Sequence, residues 1–159
     1  MEIFILNEDR TELRPDGPPT GERNWSRIDW NELDFLKWPG LELLGARGGC
    51  SEMVLHVEEH HRGGGGHPLS INGGIVSYMF DALLGAAVAS TWDDETVGQV
   101  TITLTTQFTG QITAANELRG EANVTRRGGS TVFVEGRIFS EDGSVGAFCT
   151  GIFKLFRKR

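Results

Sequence analysis

The strongest constraint on the fold is an apolar run from Gly73 to about Ser90. Over this span Ile75, Val76, Met79, Phe80, Leu83, Leu84, Ala87 and Val88 occupy nearly every side of a helix. A helix that is apolar almost all round has no solvent face, so the rest of the chain must surround it. Asn72, just ahead of it, is a good N-cap residue, because its side-chain oxygen can accept from an early helical N–H. The pattern beyond the helix is different in kind. Val100, Ile102, Leu104, Thr106 and Phe108 alternate with Thr101, Thr103, Thr105, Gln107 and Thr109, and further strand-like stretches run over 117–127, 131–140 and 145–156. Short connections at Arg127-Gly128-Gly129 and Glu141-Asp142-Gly143 read as hairpins. Upstream, alternation from Leu41 to Glu59 predicts one strand, or a pair of strands joined near Gly48-Gly49. Asn24 to Trp38 predicts one or two short helices ended by Pro39-Gly40. Arg62 to Gly66 reads as a loop with little structure of its own. One buried helix with a run of antiparallel strands predicts an α+β fold in which the sheet wraps the helix.

A chain of 159 residues is enough for one such domain, here expected over 25–159. Residues 1–24 are charged and punctuated by Pro15, Gly17, Pro18 and Pro19, and are expected to form an N-terminal arm. A formal net charge of -7 argues against a general nucleic-acid binder, while leaving room for a small anionic ligand at a local basic patch. The first residues carry no basic stretch that would mark a signal peptide. The longest apolar segment, Ile75 to Ala89, is too short and too charged to span a bilayer, so a cytoplasmic protein with no membrane partner is expected. Cys50 and Cys149 lack metal-ligand spacing and are expected to be reduced thiols, with no metal site.

Asp81 is the residue that carries most chemistry. It falls in mid-helix among Met79, Phe80, Leu83 and Leu84, where an ionised carboxylate is costly without partners. One reading places it on an exposed seam or against an arginine; the other makes it a catalytic carboxylate facing a cleft, with its pKa shifted by burial. At the start of the same helix, Asn72-Gly73-Gly74 leaves the first N–H groups unobstructed at the positive end of the helix dipole. Such a terminus serves equally as a plain cap or as a donor to a thioester carbonyl and its oxyanion. Asn72 and Asp81 are nine positions apart, roughly 13–14 Å along one axis, too far to serve one carbonyl together. A carboxylate from a second copy of the helix, antiparallel across a two-fold interface, would meet that terminus, so a homodimer with shared sites is expected.

The run Asn72-Gly73-Gly74-Ile75-Val76-Ser77-Tyr78-Met79-Phe80-Asp81 resembles the helix motif of hotdog-fold thioesterases of the phenylacetate-degradation type. That motif is His-Gly-Gly, six variable positions, then Asp or Glu. The likeness extends to Trp38 to Gly45, Thr101 to Gly110, Arg126 to Ser130 and Glu141-Asp142-Gly143. It implies a hotdog fold and hydrolysis of an acyl-CoA thioester with no cofactor, coenzyme A being part of the substrate. Asp81 would be nucleophile or general base, and the Gly73 N–H, with Asn72 and Gly74 beside it, the oxyanion site. Arg126 and Arg127, with Gly128 and Ser130, would lie near the CoA phosphates. The family also suggests assembly into a homotetramer. Two positions depart from it: Asn72 replaces the motif histidine, and Gly66 stands where an asparagine is common, with His67 next to it as a replacement. Two further readings stay open: a hydratase or dehydratase using His67 and Asp81, and a non-catalytic acyl-CoA-binding protein. Tyr78, Met79 and Phe108 are candidates to line the acyl pocket.

Overall fold

Six antiparallel strands form one sheet: β1 (Leu41–Arg47), β2 (Cys50–His56), β3 (Thr96–Phe108), β4 (Glu117–Arg127), β5 (Thr131–Phe139) and β6 (Val145–Arg157). Their spatial order is β1-β2-β4-β5-β6-β3, so β3 crosses from the helix to the far edge. The computed structural model describes residues 29–158. The arm expected at 1–24 lies outside the described residues. Two short helical segments, a 3-10 turn at Trp30–Glu32 and α1 (Asp34–Lys37), precede β1 where the sequence predicts them. The long helix is α2 (Gly73–Ala89), and the sheet curls around it.

α2 lies close to the sheet because the strands present glycines beneath it. A methyl group on Gly136 would come within 2.7 Å of Leu84 Cδ1, one on Gly151 within 2.8 Å of Leu84 Cδ2, and one on Gly120 within 2.9 Å of Leu83 Cδ2. Those contacts are shorter than close packing allows, so glycines on β4, β5 and β6 form the groove that seats the helix. Val76, Met79, Phe80, Leu83 and Leu84 are fully buried against the sheet. Ser51 Oγ donates to the Leu83 carbonyl at 2.7 Å and Gln99 Nε2 to the Gly85 carbonyl at 2.8 Å, which sets the helix's rotation.

The sheet's two edges differ. At β1, the Asn31 side chain donates to the Leu43 carbonyl at 3.0 Å and accepts from the Leu43 N–H at 2.8 Å, occupying both ladder groups of that residue on the edge. β3 is the other edge, thirteen residues long, and there Val100 and Ile102 are 46% and 58% exposed. Long apolar edges of this kind invite pairing with another strand.

The glycine loop after Arg62 departs from expectation. Gly63, Gly64, Gly65 and Gly66 all have φ between 70° and 138°, a region only glycine adopts freely. The loop is nonetheless tied at both ends. Arg62 donates to the Ala114 and Ala115 carbonyls at 2.8 and 2.9 Å, and Gln111 Nε2 donates to the Gly65 carbonyl at 2.5 Å.

Candidate active site

α2 is not buried on every side. Gly74 and Asp81 are exposed and Ser77 and Tyr78 half-buried, forming one open stripe at helical spacing. Asp81 therefore avoids the cost of burial by sitting on this seam, as the first of its two readings expects. Its Oδ1 accepts from Thr101 Oγ1 at 2.8 Å. Thr101 is on the free edge strand β3, where it pairs with Phe153 and faces the helix. Sequence reasoning overlooked Thr101, because the alternation of β3 groups it with the polar face, whereas in the structure Val100 and Ile102 are the exposed residues and Thr101 turns toward α2.

Asp81 lies at one wall of a cavity of about 400 Å³ between α2, β3, β6 and the N-terminal helical segments. Trp30, Phe35, Tyr78, Gly85, Gln99 and Phe153 make up most of the remaining lining. The Tyr78 hydroxyl donates to the Phe35 carbonyl at 2.9 Å, which holds α1 against α2. Burial and the Asp81 charge push the Tyr78 phenol above its ordinary pKa of 10.0. Of Tyr78, Met79 and Phe108, expected to line an acyl pocket, only Tyr78 lines this cavity. Met79 points into the core beside Gly120, and the Phe108 ring covers Gly73.

The start of α2 leaves one donor open. The Asn72 N–H bonds to the His61 carbonyl at 2.9 Å, Asn72 Oδ1 accepts from the Gly74 N–H at 2.8 Å, and the Ile75 N–H reaches the Asn72 carbonyl at 3.0 Å. Asn72 is thus a working N-cap that consumes the Gly74 donor. The Gly73 N–H has no hydrogen-bond partner among the described residues. Eight residues separate Gly73 from Asp81, roughly 12 Å along the axis, so one protomer does not bring the two together. His67 is exposed, and its Nδ1 accepts from the Leu69 N–H at 3.1 Å, within its own loop.

The β4–β5 hairpin lies at the opposite end of α2. Arg127 donates to the Thr91 carbonyl at 3.2 Å, the Gly128 carbonyl at 3.0 Å and Asp93 Oδ2 at 3.0 Å. Asp93 also accepts from Thr96 and Arg157, and these bonds, that from Thr96 first, hold its carboxyl down to about 2. Arg127 is therefore committed to anchoring the turn after α2. Gly128 closes the hairpin through its N–H to the Thr131 carbonyl at 2.8 Å, and Ser130 Oγ accepts from Lys154 Nζ at 2.9 Å. Arg126 is exposed and its side chain has no partner among the described residues. Both cysteines are free thiols, as expected. No described helix is long and apolar enough to cross a membrane.

A single helix seated in the curl of a six-stranded antiparallel sheet, with this strand order, is a hotdog fold. The family model of the thioesterase superfamily matches residues 70–147, which span the start of α2, Asp81 and strands β3 to β5. The match covers just under half of the chain, and the fold is like that of the solved thioesterase-family and PaaI structures it resembles. Similar solved structures include a conserved protein from Pseudomonas aeruginosa, 22% identical, with a TM-score of 0.68 over 78% of this chain and 94% of that one. The E. coli PaaI protein of the phenylacetic acid degradation operon is 19% identical, with a TM-score of 0.65 over 76% and 86%. A Bacillus halodurans protein solved with CoA is 25% identical, with a TM-score of 0.58 over 69% of each chain. No curated relative matches the sequence.

Proposed function

We propose that this protein hydrolyses an acyl-CoA thioester to the free acid and CoA, using Asp81 and the N-terminus of α2. The observation that carries this reading is the Asp81 carboxylate, held by Thr101 at the mouth of an apolar cavity. A water between Asp81 and the thioester carbonyl would lose a proton to the carboxylate as its oxygen attacks carbon. The carbonyl oxygen would take up the negative charge, and the unpaired Gly73 N–H is the donor suited to receive it. The C–S bond then breaks, and the CoA thiolate recovers the proton from Asp81. In the nucleophilic variant Asp81 attacks the carbonyl carbon, the C–S bond breaks to release CoA thiolate, and water then opens the mixed anhydride to give the free acid and the Asp81 carboxylate.

Two copies are needed, because Gly73 and Asp81 of one helix are too far apart. The free, apolar edge of β3 supports pairing with the same strand of a partner, and Asp81 is bonded to that strand. Arg126, near the far end of α2, is the cation suited to the phosphates of an extended ligand such as CoA. The test is thiol release from a panel of acyl-CoAs, with Asp81→Asn as control and light scattering to confirm a dimer. General-base or nucleophilic loss predicts a fall of roughly 10²–10⁴-fold in kcat. Equal thiol release by wild type and Asp81→Asn would end the assignment. Hydration of an enoyl-CoA that depended on His67 would move the protein to the hydratases.

A further inference from the structure

Gly85 is a glycine without a packing reason. It sits in the interior of α2, where glycine is among the poorest helix formers. The glycines of β4, β5 and β6 under the helix have no space for a methyl group, but Gly85 does. A Cβ there would lie 3.5 Å from Gln99 Nε2, 3.8 Å from Phe153 Cε1 and 3.9 Å from Trp30 Cη2, all ordinary contacts. Its φ is not positive either, so backbone conformation does not demand glycine. What the missing side chain leaves is volume in the cavity beside Asp81, one helical turn further along the same face.

The wall behind Gly85 is fixed. Gln99 Nε2 donates to the Gly85 carbonyl at 2.8 Å, and Gln99 Oε1 accepts from Trp92 Nε1 at 2.8 Å, so the amide cannot swing aside without losing both bonds. Trp30 meets Phe35 edge-on at 5.8 Å between ring centroids, making a second rigid wall. Among the described residues no lysine or arginine lines the cavity, and the one charged side chain on its wall is the Asp81 carboxylate. A cavity of about 400 Å³ is at the lower end for small-molecule sites. At roughly 30 Å³ per packed atom it holds on the order of ten non-hydrogen atoms.

We propose that Gly85 keeps open the deep end of the acyl pocket. The pocket then selects an uncharged, apolar acyl group of medium length or single-ring size over acetyl, long-chain and dicarboxylic acyl groups. This rests on the thioesterase reading of Asp81 and adds the residue that sets pocket depth. Anionic acyl groups are disfavoured because they would meet the Asp81 carboxylate with no cation among the described lining residues to receive them.

The experiment measures kcat/KM for acetyl-, octanoyl-, phenylacetyl-, palmitoyl- and succinyl-CoA with wild type, Gly85→Ala and Gly85→Leu, with thermal melts to confirm folding. Wild type should favour the octanoyl and phenylacetyl esters. The octanoyl-to-acetyl ratio should fall several-fold in Gly85→Ala and more than about tenfold in Gly85→Leu, since one methylene in an apolar pocket discriminates by roughly 10–200-fold. A ratio within about twofold of wild type in folded Gly85→Leu would overturn the proposal, as would an unchanged ratio in Gly85→Ala if the leucine variant does not fold. Wild type hydrolysing none of the esters would instead sink the thioesterase reading. Binding of a non-hydrolysable octanoyl-CoA thioether then decides the pocket. Binding tenfold tighter than CoA and weakened by Gly85→Ala would sustain it; affinity equal to that of CoA would refute it.

Discussion

Replacing Thr101 by valine removes one hydroxyl and keeps a β-branched side chain suited to strand β3. The loss is the 2.8 Å hydrogen bond that fixes Asp81 Oδ1. Hydrogen bonds to charged groups are worth about 1.5–3 kcal/mol, and Asp81 is exposed, so solvent can replace part of this one. A loss of about 1–2 kcal/mol of transition-state stabilisation is expected, or roughly 5–30-fold in kcat/KM. Because the bond orients the carboxylate proposed to be catalytic, the fall should lie mainly in kcat. Thr101→Ser, which restores the hydroxyl, should recover most of the activity. In an Asp81→Asn background the same change should cost almost nothing further, because residues acting as a unit are not additive. The assay is thiol release across an acyl-CoA titration for wild type, the three single variants and the Asp81→Asn/Thr101→Val double variant, with melting temperatures measured in parallel. Equal losses from Thr101→Val with and without the Asp81 carboxylate would refute the positioning role. So would a Thr101→Ser variant as impaired as the valine.

The two arginines of the hairpin should separate cleanly. Arg126→Ala is expected to raise KM for CoA esters several-fold with an unchanged melting temperature, whereas Arg127→Ala should lower the melting temperature by breaking the bonds to Thr91 and Asp93; a lowered melting temperature in the first and none in the second would reverse that assignment. The buried His61 accepts from the Glu58 N–H at 2.9 Å, and burial, with the His60 charge, pushes its pKa below 6.5. The unfolded chain then binds more protons than the folded one just below pH 6.5, so stability present at neutral pH is lost as pH falls through that window, at no more than about 1.4 kcal/mol per pH unit for one proton. Urea midpoints at pH 5 and pH 7.5 should show this difference in wild type and a smaller one in His61→Leu; the same difference in both would exclude His61 as its source.

Much of the fold is legible in the residues because it rests on local periodicity. Apolar residues all round 73–90 demand an enclosing sheet, and the alternation after Thr101 supplies its strands. The Asn72 cap follows from one side-chain oxygen and the donors beside it. The distance between Asn72 and Asp81 follows from helix rise alone, because nine residues of helix have a fixed length. Tertiary structure decided what depends on neighbours distant in sequence. Asp81 is exposed because the sheet's curl leaves one stripe of α2 uncovered. Thr101 meets it because β3 returns along that stripe. Arg126 and Arg127 are adjacent in sequence, yet Asp93 and Thr91 claim Arg127 while Arg126 has no partner among the described residues. Gly85 reads as an ordinary helix glycine until Trp30, Gln99 and Phe153 surround it and show room for a side chain that is absent. The sequence by itself determined which elements form and that a carboxylate and an open helix start share one helix, since both depend on contacts within a few residues. Which faces those elements expose, and which charges remain unpaired at them, only the packing of the sheet around the helix could decide.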